Sequence, residues 1–132
     1  MARPRSQHPT ELELEILKVI WRDGPSNVRH VRDELAAWRD LAYTSVMTIM
    51  NIMTGKGYLR RVKAGGSFTY HARVTERTTK HKMLKDVVDR AFDGSVSSAV
   101  ESLLASRSLD AEERQLLRDL ISNTLDGAAL AV

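Results

Sequence analysis

A chain of 132 residues with 42% hydrophobic and 28% charged side chains has the balance of an ordinary globular protein, long enough for one small domain or one domain with a helical appendage. It has no cysteine, which excludes disulfides, thiolate metal sites and cysteine nucleophiles, and its histidines, His8, His30, His71 and His81, lack the close pairing of a zinc-ligand motif. No apolar run reaches the roughly 18 residues of a membrane span, and no hydrophobic segment follows the arginines of MARPRSQHPT, so a cytoplasmic protein is expected.

Thr10 and Glu13 have the spacing of a capping box, and Leu14, Leu17, Ile20 and Trp21 fall on one side of the helix that follows, which should stop before Gly24-Pro25. Ser26 is placed to cap a second helix in which Val28, Val31, Leu35 and Trp38 form an apolar stripe. A third helix begins in AYTSVMTIMNIMTGKGYL, with Gly55 and Gly57 to end it. The period then changes from helical to two: YLRRVK and SFTYHARV flank AGG and read as a β-hairpin.

Around the third helix, at about 100° per residue, Val46, Ile49, Met50 and Met53 share the side that should pack on the first two helices. Thr44, Thr48, Asn51 and Gly55 lie opposite, flanked by Ser45 and Ile52 on one side and Met47 on the other. Short uncharged side chains let a helix approach the major groove closely, with hydroxyls and an amide meeting base edges. The charge pattern points the same way. Residues 1–76 hold 12 Lys/Arg against 8 Asp/Glu (+4) and residues 77–132 hold 8 against 9 (−1), which sum to the chain's +3. Between positions 41 and 75 stand Lys56, Arg60, Arg61, Lys63 and Arg73 without a single carboxylate, a pattern suited to a polyanion. The candidate DNA-binding set is therefore Thr44, Ser45, Met47, Thr48 and Asn51 on the helix and Arg60, Arg61, Lys63 and Arg73 on the hairpin. Basic residues on a strand edge also discourage aggregation, so an assembly module that uses the same helix and hairpin for protein contact is the alternative. No nucleophile with a base, paired acids or phosphate loop suggests an enzyme, since AGG lacks the lysine and spacing of a P-loop; no cofactor is implied.

The rest of the chain repeats a helical period. Leu84, Val87, Val88, Ala91 and Phe92 make one stripe, Val96, Ala99, Val100, Leu103 and Leu104 a second, and Leu116, Leu117, Leu120, Ile121 and Leu125 a third, with Asp110 and Glu113 spaced to cap the last helix. Three short helices make a marginal core by themselves, so a second copy is expected to cover Leu84, Val88, Phe92, Val96, Val100, Leu103, Leu116, Leu117, Leu120 and Ile121. The expected organisation is a mainly α chain with a small β-hairpin: residues 1–76 hold three helices and the hairpin with the basic surface, and residues 77–132 three helices expected to pair two copies.

TELELEILKVIW, SNVRHVRDEL, YTSVMTIMNIMTGKGYL, GGSFTYHARV and RAFDGSVSSAVESLL together resemble the BlaI/MecI repressors, a family that also includes the copper-responsive CopY proteins. The resemblance runs from about residue 9 to residue 125. It implies a winged helix-turn-helix DNA-binding domain over residues 1–76 and a three-helix dimerisation domain over residues 77–132, in a homodimeric transcriptional repressor on inverted-repeat operators with TACA and TGTA half-sites, linked to β-lactam-response genes and relieved through a membrane sensor-protease. Staphylococcal-type members are cleaved at an Asn-Phe pair; the matching pair here is Ser102-Leu103, a mismatch that argues against regulatory cleavage. Relatives often carry an arginine where Ile52 stands and a basic residue at the wing tip where Gly65-Gly66 stand. The cysteine pairs of the copper-responsive branch are absent, which excludes copper sensing by that chemistry.

Overall fold

The computed structural model describes residues 8–106 and 108–131. Its elements follow in the order α1 (Glu11–Asp23), α2 (Val28–Leu35), α3 (Tyr43–Lys56), β1 (Leu59–Ala64), β2 (Ser67–Ala72), α4 (Glu76–Ala91), α5 (Val96–Ser106) and α6 (Ala111–Ala131). This is the mainly α architecture with a β-hairpin wing that the periodicity suggests. The N-terminal residues 1–7 and the side chain of Leu125 lie outside the described residues.

Local chemistry sets the element ends. Thr10 and Glu13 close the capping box of α1: the Thr10 hydroxyl accepts the Glu13 N–H at 3.2 Å and Glu13 Oε1 accepts the Thr10 N–H at 2.9 Å. The cap of α2 is Asn27, whose Oδ1 accepts the His30 N–H at 2.8 Å, not Ser26. Ser26 is drawn away by the hairpin, exchanging backbone hydrogen bonds of 3.1 and 2.8 Å with Tyr70 while its hydroxyl donates to the Gly24 carbonyl. Trp38, expected on the stripe of α2, lies beyond its end. The helix closes at Leu35, where a turn sends the Trp38 and Arg39 N–H groups to the Leu35 carbonyl, and the exposed indole is stacked under the Arg39 guanidinium at 4.5 Å. Gly55 does not stop α3. The helix runs to Lys56 and is closed by Gly57 in the left-handed region, where glycine has no Cβ penalty.

β1 and β2 pair antiparallel from Leu59↔Ala72 to Ala64↔Ser67. Gly65 and Gly66, at φ 56° and 86°, supply the two positive φ angles that a two-residue turn needs if its twist is to match the strands. Three helices and the base of this hairpin enclose one core: Ile16, Leu17, Val19 and Ile20 from α1, Val28, Val31 and Leu35 from α2, Val46, Met50 and Met53 from α3, with Leu59 and Tyr70 from the strands. The buried side of α1 is wider than its expected stripe, since Ile16 and Val19 are inside while Leu14 and Trp21 are only half-buried. Trp21 sits at the margin because its indole N–H donates to the Val74 carbonyl at 2.9 Å.

The chain forms two compact units, Met1–Asp86 and Val87–Val132, so α4 is continuous across the division. The sequence pattern changes at residue 76, where the hairpin segment ends, but the first turns of α4 go with the first unit: Thr79 is buried and Asp86 meets His8 Nε2 at 3.1 Å. In the second unit Asp93 and Gly94 take positive φ to end α4, Ser95 caps α5 through the Ser98 N–H, and Asp110 caps α6 through the Glu113 N–H at 2.7 Å. Among the described residues of this unit, Ala99 alone among the hydrophobics is buried. No helix of the described residues is long and apolar enough to cross a membrane.

Candidate nucleic-acid interface

The inner side of α3 is fully buried at Val46, Met50 and Met53, which fixes the rotation of the helix and leaves Thr44, Ser45, Thr48, Asn51, Ile52 and Gly55 exposed, with Met47 half-buried. The expected helical candidates thus share one outward surface. Two of them are already partly committed within the chain. The Thr48 hydroxyl donates to the Thr44 carbonyl at 2.9 Å, so its oxygen keeps only acceptor capacity beside its methyl group. Asn51 Oδ1 accepts the Tyr70 O–H at 2.7 Å and faces Arg61 Nη1 at 3.4 Å. This link between helix and wing was not anticipated from the sequence, because Tyr70 carries the signature of a core strand residue and its hydroxyl position depends on the strand register.

The wing cations separate by strand parity. Directly paired residues share a face of the ladder, so Arg61 and Lys63, opposite Tyr70 and Phe68, lie on one face while Arg60, opposite His71, lies on the other. Arg73 follows β2 at a bend, its N–H bonded to the Tyr58 carbonyl. The Arg61 guanidinium is stacked over the Phe68 ring at 4.2 Å, which explains why Phe68 is tolerated with 40% of its surface exposed. Among the described residues, no carboxylate pairs with Arg60, Arg61, Lys63 or Arg73. A cleft of about 250 Å³ joins the two elements, lined by Arg29, Tyr43, Met47, Ser67, Phe68 and Tyr70 among others.

Lys56 behaves differently from the other cations of the carboxylate-free segment. Its Nζ lies 2.9 Å from Glu13 Oε2, and Glu13 is 3% exposed. The pair ties the end of α3 to the start of α1 and turns one cation inward. Beside it, Tyr58 is pushed above the ordinary tyrosine range, first by burial and then by the negative charge of Glu13.

A second charged cluster lies at the end of α1 and along α2. Oxygen and nitrogen donors of Asp23, His30 and Glu34 fall within 4.8 Å of one another, close enough to meet one cation. Arg22 fills that role, bonding Asp23 at 2.8 Å and Glu34 at 2.6 Å. The Arg22 hydrogen bond, and then that of His30, holds the Asp23 carboxyl well below the usual range, while Asp23 and Glu34 push Arg22 up.

Most stripe residues of the C-terminal helices lie at the surface of the single chain. Leu84, Val96, Val100, Leu103, Leu116, Leu120 and Ile121 are exposed, and Val88, Phe92 and Leu117 are half-buried. Ser102 and Leu103 are both accessible on α5.

A family model described as penicillinase repressor matches residues 9–123. The methicillin resistance regulatory protein MecI of Mammaliicoccus sciuri is 24% identical over 110 residues, covering 83% of this chain and 89% of MecI. The penicillinase repressor of Bacillus licheniformis is 27% identical over 104 residues, covering 79% and 81%. Among solved structures, the monomeric form of Bacillus licheniformis BlaI in complex with the blaP half-operator aligns with a TM-score of 0.47 and 28% identity, over 55% of this chain and 88% of that one. With the family model spanning both compact units, the chain belongs to the penicillinase repressor family.

Proposed function

We propose that this protein is a DNA-binding transcriptional repressor that reads duplex DNA with α3, grips the flanking phosphates with the wing, and works as a homodimer on inverted repeats. One observation carries the DNA reading. The exposed side of α3 offers uncharged hydrogen-bonding groups next to Arg60, Arg61, Lys63 and Arg73, which have no carboxylate partner among the described residues. A helix with short polar side chains fits the major groove, and unpaired cations on an adjoining hairpin supply sequence-independent affinity. The names of the relatives, penicillinase repressor and methicillin resistance regulatory protein, agree with that chemistry. The dimer reading rests on the exposed leucines, isoleucine and valines of α5 and α6, more apolar surface than a small unit leaves to water. Resistance genes as targets, a sensor-protease partner and half-sites of the TACA/TGTA kind belong to the same proposal through family membership.

The test is the salt dependence of binding to an inverted-repeat duplex followed by fluorescence anisotropy. Log affinity should fall linearly with log salt, by about 0.9 for each phosphate contacted, and Arg60→Gln or Lys63→Gln should each flatten the slope by about one unit. A salt-independent affinity would refute phosphate contact and favour the use of this surface for protein assembly.

A further inference from the structure

Asn51 stands in the exposed line of α3, yet its amide cannot choose which end it offers. Arg61 Nη1 can only donate a hydrogen bond, so the amide atom that faces it at 3.4 Å must be the oxygen; the flipped amide would set two donors against each other. The Tyr70 O–H takes the other lone pair of that oxygen at 2.7 Å. Tyr70 is the firmer of the two anchors. Tyr70 is 1% exposed and exchanges both backbone hydrogen bonds with Ser26, and Arg61 is stacked on Phe68. The Asn51 amide nitrogen and its two hydrogens are left without a partner among the described residues.

We propose that Asn51 is a donor-only reader that selects guanine over adenine in the DNA site, with Tyr70 and Arg61 as the positioning residues that impose the choice. This rests on the DNA-binding reading above. An asparagine recognises adenine with both ends of its amide, accepting from N6–H₂ and donating to N7. Here the accepting end is occupied within the chain, so adenine would receive one bond and bring its own donor against a donor. Guanine offers acceptors at both N7 and O6, and cytosine offers only the N4–H₂ donor. The wing thereby contributes to base choice through Tyr70, which itself is buried and touches no base.

The experiment uses the full chain and a randomised duplex library of about 30 base pairs, enough for two half-sites one helical turn apart. Enrichment should yield a motif with one position at which guanine is favoured by about fivefold or more in the wild type and not in Asn51→Ala. Replacing that guanine by 7-deazaguanine should weaken the wild type and leave Asn51→Ala unaffected. Removing both donors, in Tyr70→Phe with Arg61→Met, frees the amide to turn and should bring adenine to within about twofold of guanine at that position alone, whatever the loss of phosphate contact does to overall affinity. A merely structural role for the two residues would instead lower affinity for every sequence alike with guanine still favoured, and would overturn their assignment. Should that double variant fail to fold, Asn51→Asp decides: an acceptor-only side chain of the same shape should exchange guanine for cytosine. The inference is wrong if the Asn51-dependent position is adenine in the wild type, or if no position changes in Asn51→Ala. A library that yields no motif defeats the DNA-binding reading itself, and this inference with it.

Discussion

The two compact units use similar apolar side chains to opposite ends. In Met1–Asp86, Val46, Met50, Met53, Leu59 and Tyr70 are at most 1% exposed, and two glycine turns and two side-chain caps hold the elements around them. In Val87–Val132, Val96, Leu103 and Leu116 expose 66%, 64% and 56% of their surface, although their helices are as well capped. Capping and periodicity specify a helix in both cases; what differs is whether the chain itself supplies the opposing face. A unit that closes on itself should keep its fold alone, and one that does not should draw its stability from association.

The comparison is most severely tested by cutting the chain after Asp86. The fragment 1–86 retains every residue of the core and is expected to melt cooperatively as a monomer, yet to bind an inverted-repeat duplex about 10²- to 10⁴-fold more weakly than the full chain, because the second recognition helix is no longer tethered. Affinities as tight as those of the full chain would remove the reason for assigning the second unit to dimerisation. A cut after residue 76 sharpens the point: it also removes buried Thr79 and the Asp86 partner of His8, so that fragment should melt lower than 1–86.

Matched truncations come next. Met50→Ala empties a site with no exposed surface and should cost about 2–5 kcal/mol at any protein concentration. Leu116→Ala removes a side chain that is mostly exposed in the single chain, so its cost should depend on concentration, near zero in dilute protein and rising as copies associate. Urea unfolding at two concentrations about a hundredfold apart distinguishes them, since association linkage grows with the logarithm of concentration. A concentration-independent loss for Leu116→Ala would mean that the second unit has a core of its own.

Within the first unit, the Glu13–Lys56 pair is the polar counterpart of that closed core. Lys56→Met leaves a carboxylate that is 3% exposed with only the Thr10 N–H for company, and should destabilise by about 1–3 kcal/mol, less than a fully buried pair because the lysine is one-third exposed. Adding Glu13→Gln should recover most of that loss. A double mutant no better than Lys56→Met would show that the lysine stabilises by packing alone.

How much of this was legible in the sequence follows from the range of the interactions. The capping box at Thr10, the buried line Val46–Met50–Met53 and the glycine turn at 65–66 depend on residues within four positions of each other, and reading them needs only the helical and strand periods. Ser26 has the spacing of a cap, but its backbone is captured by Tyr70, far along the chain, which passes the capping role to Asn27. Trp38 continues the stripe in sequence only, because the turn at Leu35 ends α2 before the stripe does. The Tyr70–Asn51 bond and the inward turn of Lys56 were invisible for the same reason as Ser26: each joins elements whose register only the folded core decides. The carboxylate-free stretch behind the candidate surface is a property of composition and needs no tertiary knowledge.

The smallest expected effect probes the edge of the closed unit. Tyr58 lines a cavity of about 40 Å³ with Pro9, Val74 and Thr79, and burial followed by the Glu13 charge raises its pKa in the folded chain. A raised folded value means that the native state holds the phenolic proton more tightly than the unfolded state, whose tyrosine titrates near about 10. The stability that this contributes is complete below the unfolded value and is lost as the pH rises toward and through the folded one. Wild type should therefore lose more stability than Tyr58→Phe between about pH 9 and 11, in urea midpoints measured side by side, because phenylalanine has no proton to lose. Since Glu13 is the second cause of the shift, Glu13→Gln should narrow the gap without closing it, leaving the part due to burial. Parallel profiles for wild type and Tyr58→Phe would mean that water reaches the half-buried phenol freely at the junction of α3 and β1.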